Sequence, residues 1–179
     1  MTRRRSREHG GSTLFEFVMV GIPIVFVLIS TFEIARGMWL YQTLNYAVKR
    51  AVRYSIVHGF NCGQPGNNCR VTVGQIAGVM QNASLGLDNR RMSVTFTPNS
   101  GSAVTCTLSP MPPSSTGDCL SNTTLWPPTG ANNPGMQVTI SANYPFNSMI
   151  SMFWPGARGG SMQFATVNFN ASSNDLMQF

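Results

Sequence analysis

Leu14 to Phe32 reads LFEFVMVGIPIVFVLISTF, nineteen residues with a single charge, Glu16. At 1.5 Å rise per residue, a helix of this length spans about 28 Å, close to the hydrocarbon thickness of a bilayer. A secretory signal peptide has a shorter apolar region, about 7–15 residues, and ends it on a small-residue cleavage site. Here the run passes into Glu33-Ile34-Ala35-Arg36 with no such pattern. The stretch therefore reads as a membrane span that stays with the protein. Upstream, Arg3, Arg4, Arg5 and Arg7 precede Gly10-Gly11. By the positive-inside rule this cluster places the N-terminus in the cytoplasm and the remainder across the membrane.

Helical patterning continues past the span. Gly37, Leu40, Leu44, Ala47, Ala51, Tyr54 and His58 recur at steps of three and four, a stripe of apolar and small residues. No Pro interrupts residues 24–64, and Gly59 suits a C-cap. The pattern predicts one continuous helix of roughly 45 residues, about 65–70 Å long. Residues 12–34 form its membrane half and 35–58 an amphipathic continuation. Its stripe can pack on the chain's own C-terminal domain or against neighbouring copies.

Composition excludes several functions. Of the 179 residues, 10% are charged and 42% apolar, against about 25% charged in an ordinary soluble domain. The net charge of +6 divides into +5 over residues 1–58 and +1 over residues 59–179. A nucleic-acid module needs a basic face on its folded domain, and the folded part here is nearly neutral. Six scattered acids, two histidines (His9 and His58) and no G-x-S-x-G supply neither a carboxylate pair nor a nucleophile–base set. No enzyme, cofactor or small-molecule substrate is expected. His58 reads as a helix C-terminal residue favoured by the macrodipole.

Beyond Gly59 the chain turns to Asn, Ser, Thr, Gly and Pro with short apolar alternations. Val71 to Leu85 predicts a short helix, with Val73, Ile76, Ala77 and Met80 on its inner face. Residues 92–96, 104–108 and 136–140 alternate with period two, and Gln163 to Asn170 suits a fourth strand. Ser109 to Pro134, with six prolines, reads as an exposed connection rather than core. Phe146 to Trp154 is too short to cross a membrane. Its Met149, Ile150, Met152, Phe153 and Trp154 read as core or partner-facing. The expected fold is α+β: a long N-terminal helix followed by a small antiparallel sheet domain over residues 59–179.

The four cysteines fall in this exported part as Cys62…Cys69 and Cys106…Cys119. Oxidising compartments preserve disulfides, and local pairing is the simplest of the three connectivities. A zinc site is the weaker reading, because the spacings exceed x2–4 and no His cluster accompanies them.

The junction Gly11-Ser12-Thr13-Leu14-Phe15-Glu16-Phe17 puts a carboxylate inside the apolar run. In the headgroup region Glu16 costs little; buried in the membrane it costs several kcal/mol unless paired. Cleavage after Gly11 would give Ser12 a free ammonium one helical turn from Glu16, on its own chain or a neighbour's, and that ammonium is the partner that makes the carboxylate tolerable.

Basic leader, Gly11, Glu16-Phe17 and apolar helix together resemble the class III signal peptides of type IV pilins. The similarity is closer to TadE-like pseudopilins of tight-adherence (Flp) pilus systems, through Glu16-Phe17, Glu33-Ile34-Ala35-Arg36 and the Ala/Arg-rich run Ala47 to Tyr54. It covers residues 10–58 well and 135–170 loosely, where Val138 to Phe146 looks like the family's late strand. Pro23 departs from the pattern; it removes the hydrogen bond to Met19 and predicts a bend there. The resemblance implies a non-enzymatic pseudopilin or minor pilin. Residues 1–11 would be a leader cut by a prepilin peptidase between Gly11 and Ser12, with Glu16 and Phe17 serving assembly. Other pilin subunits, the inner-membrane assembly platform and membrane lipid would be its partners. Its location would be single-pass in the inner membrane, with a periplasmic domain, or in an extracellular pilus. The alternative is an unprocessed, anchored envelope protein whose exported domain binds a ligand or partner.

Overall fold

A computed structural model describes residues 10–58, 63–64, 67–109, 117–148 and 166–178, with side chains of the first helix described from Leu14 onward. Helix α1 runs without a break from Gly10 to Ile56, 47 residues with Pro23 inside it. A two-residue hairpin, β1 (Gly63–Gln64) with β2 (Asn67–Asn68), precedes helix α2 (Val73–Ala83). Strands β3 (Ser93–Pro98), β4 (Val104–Thr107), β5 (Gln137–Asn147) and β6 (Thr166–Leu176) then form one antiparallel sheet in the order β4-β3-β5-β6. The architecture is α+β.

Two halves of α1 behave differently. Leu14 to Phe32 is exposed, except for Gly21, Ile29 and Ser30, which are half-buried. From Glu33 onward, one face is buried against the domain. Of the anticipated stripe, Gly37, Leu40, Leu44, Ala47 and Ala51 are buried, but Tyr54 and His58 are only half-buried. Val48, Val52, Ser55 and Ile56 fill the last turns of the face instead. The helix ends at Ile56, where the His58 N–H donates to the Ser55 carbonyl at 3.3 Å. Gly59, the expected cap, lies outside the described residues.

Helix α2 is shorter than the predicted 71–85 because its start is fixed by a capping box. The Gln75 N–H donates to Thr72 Oγ1 at 3.3 Å, and the Thr72 N–H donates to Gln75 Oε1 at 3.0 Å. Its Val73, Ile76, Ala77 and Met80 are buried and α2 packs on α1. Phe96, Val94, Val138, Ile140 and Ala142 line the inner face of the sheet beneath the helices.

β5 and β6 extend well past the predicted 136–140 and 163–170, pairing from Gln137 with Leu176 to Asn147 with Thr166. β6 runs alongside α1 in the same direction. The Phe169 ring meets Tyr41 near its start, and beyond its end the Gln178 N–H donates to the Ile56 carbonyl at 3.3 Å.

The segment expected to be an exposed connection, 109–134, is where the structure corrects the sequence. Trp126, Ala131, Asn132 and Cys119 are each at most 1% exposed. Over residues 117–134 the chain is irregular apart from one short 3-10 turn, Thr129–Ala131, but it hydrogen-bonds across to the start of α2: Val73 N–H to Thr124, Gly74 N–H to Asn122, and Trp126 N–H to Val71, all near 2.9–3.0 Å. Loop residues are buried when their backbone groups find such partners.

Gly74 is what allows that approach. A Cβ there would lie 2.5 Å from the Leu120 carbonyl oxygen and 3.0 Å from that of Asn122, both backbone atoms that cannot swing away. Gly74→Ala is therefore expected to destabilise by about 1–3 kcal/mol. Gly78→Ala, with nothing within 4 Å of its Cβ, should gain up to about 1 kcal/mol from helix propensity. Thermal melting of both variants in one detergent checks the opposite signs.

Candidate functional site

The bare half of α1 is the first candidate. Leu14 is 69% exposed, Phe17 77% and Phe32 80%. Each such side chain left in water forgoes about 1.5–3 kcal/mol of burial, so a helix this apolar needs an apolar medium or a partner along its length. It is long and apolar enough to cross a membrane. Gly11 and Ser12 lie in its first turn. Two glycines at residues 10–11 form helix poorly, which leaves the junction locally weak. Glu16, one turn further on, is exposed beside Phe17 and is the only charge in the bare band.

Where the span meets the domain, a second constellation forms. Glu33 is 8% exposed, and its Oε1 lies 3.6 Å from Arg36 Nη1. The Arg36 guanidinium sits 5.4 Å from the centroid of the Phe146 ring. Phe146 stacks on Phe169 at 5.1 Å, and Phe169 meets Tyr41 edge-on at 5.8 Å. Gly37 brings the two phenyl rings close to the helix; a Cβ there would touch both at 3.7 Å. Between α1 and the ends of β5 and β6 lies an open groove of about 380 Å³. Its walls come from residues more than a hundred positions apart. In the sequence Gly37 reads only as the first small residue of the helical stripe, and nothing there announces the groove.

Cys106 and Cys119 are joined, with 5.2 Å between their Cα atoms. The bridge ties β4 to the irregular segment, reinforced by Thr107 N–H to the Gly117 carbonyl and Cys119 N–H to the Thr107 carbonyl. In the chain-entropy model a loop of this size contributes about 3 kcal/mol. Cys69 is disulfide-bonded, and Cys62, its expected partner, lies outside the described residues. So do Met149, Ile150, Met152, Phe153 and Trp154. His58 stacks on Tyr54 at 4.3 Å, with Nδ1 2.7 Å from the Tyr54 carbonyl. Among the described residues, no three His, Cys, Asp or Glu side chains gather as a metal site would require.

Residues 11–53 match the sequence model of the TadE-like protein family, a stretch lying wholly within α1. No curated protein and no solved structure matches the chain.

Proposed function

We propose, from the TadE-like match over residues 11–53, that the chain is a pseudopilin or minor pilin of a tight-adherence pilus system. It would be made as a precursor, cut between Gly11 and Ser12 by a prepilin peptidase, and held in the inner membrane by the bare half of α1. The domain after residue 58 would lie on the periplasmic side, where its disulfides persist. Subunits would then meet through the same bare half-helix, exchanging lipid for neighbouring helices.

One observation carries this proposal. A single continuous helix buries one face in its own domain from Glu33 to Ile56 and is bare from Leu14 to Phe32. One face of the amphipathic half is thereby occupied by the domain, and the apolar half is left for membrane and assembly. That division supports a structural role for the helix.

Cleavage gives the direct test. Intact mass of protein purified from its native host should be short by the first eleven residues, and the leading residue should be Ser12. A full-length mass in a host with active prepilin peptidase would instead favour an unprocessed, single-pass anchored protein.

A further inference from the structure

The exposed apolar surface of α1 does not stop where the hydrocarbon layer would. Leu14 to Phe32 covers about 28 Å. Beyond it, Ile34 is 64% exposed, Met38 60%, Trp39 64% and Tyr41 45%. From Leu14 to Tyr41 the helix rises about 40 Å, about 10 Å beyond a hydrocarbon core of about 30 Å, so Tyr41 reaches the headgroup level on the domain's side. The groove beside Gly37 lies at this upper level. Ile34, Met38 and Tyr41 form one wall and Phe146, Val167 and Phe169 the other, with the Glu33–Arg36 pair at the rim.

We propose that this groove receives a phospholipid of the leaflet on the domain's side, so that the domain rests on the bilayer. The upper methylenes of an acyl chain lie between Ile34 and Val167, and the headgroup lies above them, toward Met38 and Tyr41. The inference rests on the membrane anchorage proposed above and adds a lipid site within the folded domain.

Two features favour lipid over a second copy of the chain. The groove adjoins the apolar surface of the span, with the Glu33–Arg36 pair at the rim between them, so the medium that covers Leu28 reaches its edge. The exposed aromatics at this level are also not confined to one side. At about 100° per residue, Trp39 and Tyr41 point to nearly opposite sides of α1. A partner helix covers one face, whereas an interface covers every face that the domain leaves open, and Trp and Tyr are the residues that settle there.

Val167 gives the decisive position, because it belongs to β6 rather than to the span and is half-exposed. The test places p-benzoylphenylalanine in place of Val167, Leu28 or Val57 in the full chain. Each protein is reconstituted in vesicles of dioleoyl phosphatidylcholine and phosphatidylglycerol, irradiated, and analysed by mass spectrometry. Phospholipid adducts are expected at Leu28 and Val167, in comparable yield, and at least tenfold less at Val57, which lies beyond the end of α1. A protein–protein adduct at Val167 would make the groove a contact between copies and overturn the proposal. Lipid adducts at Leu28 with none at Val167 would also overturn it, while leaving the anchor intact. No lipid adduct at Leu28 would remove the anchorage itself, and the groove proposal with it.

Discussion

Trp126→Ala is expected to destabilise the sheet domain by about 3–5 kcal/mol, whereas Trp126→Phe should cost a fraction of that. The indole is 1% exposed and packs edge-on against Phe96 with ring centroids 5.4 Å apart. Truncation to Ala removes that burial and leaves a cavity between the sheet and the irregular segment that covers it. Phe keeps a ring in the same place. It also deletes an indole N–H that finds no hydrogen-bond acceptor among the described residues, and such a buried donor costs about 1–3 kcal/mol. The backbone bond from Trp126 N–H to Val71 survives both changes. For a chain of this size, each kcal/mol moves the melting temperature by about 2–4 °C, so the Ala variant should melt about 10 °C lower. Near-ultraviolet circular dichroism during heating in detergent checks it. An Ala variant melting with the wild type would mean that the segment around Trp126 contributes nothing to the core.

Trp126 also marks the limit of what the sequence conveys. The long helix was legible because nineteen consecutive residues with one charge admit few structures, and the stripe from Gly37 to Ala51 has a helix period that nothing interrupts. Its last turns were misplaced. Periodicity identifies an apolar face but not which flank the domain will occupy, and the domain covers Val52 and Ile56 more fully than Tyr54 and His58. The strands β3 and β4 alternate cleanly and were legible to within two residues. β6 was read short because Asn, Ser and Asp dominate its second half. Those residues become a strand only because β5 offers eleven consecutive partners, and edge-strand residues need no apolar character of their own. In the described residues 117–134, Pro and Asn go with largely irregular backbone, but irregular is not exposed. Burial there follows from long-range bonds to Val71, Val73 and Gly74, which no local pattern contains. The groove was hidden for the same reason, whereas Gly11, Ser12, Glu16 and Phe17 stood out as a short contiguous motif.

The contiguous motif carries the largest functional effect. Glu16→Ala should yield a subunit that is cut and membrane-bound but fails to enter the assembly. Under the proposed function, Ser12 becomes the amino terminus, and its ammonium sits among apolar helices once subunits pack. Glu16, the only acid in the bare band, is the counter-charge that an adjacent subunit can offer. Removing one partner of a buried ion pair costs about 3–5 kcal/mol, because the other charge stays desolvated. That corresponds to a fall of about two to four orders of magnitude in assembly. Cleavage itself should persist, since the cut lies five residues upstream of Glu16. Glu16→Gln keeps the shape and some hydrogen-bonding capacity without the charge, so it should follow Ala if the pairing is ionic. If Glu16 instead remains at the headgroups, both substitutions remove a solvated charge and incorporation stays at the wild-type level. Quantifying processed wild-type, Ala and Gln subunits that co-purify with the filament or its membrane platform separates the two outcomes. Undiminished incorporation of the Ala variant would make Glu16 an interfacial residue and rule out the pairing.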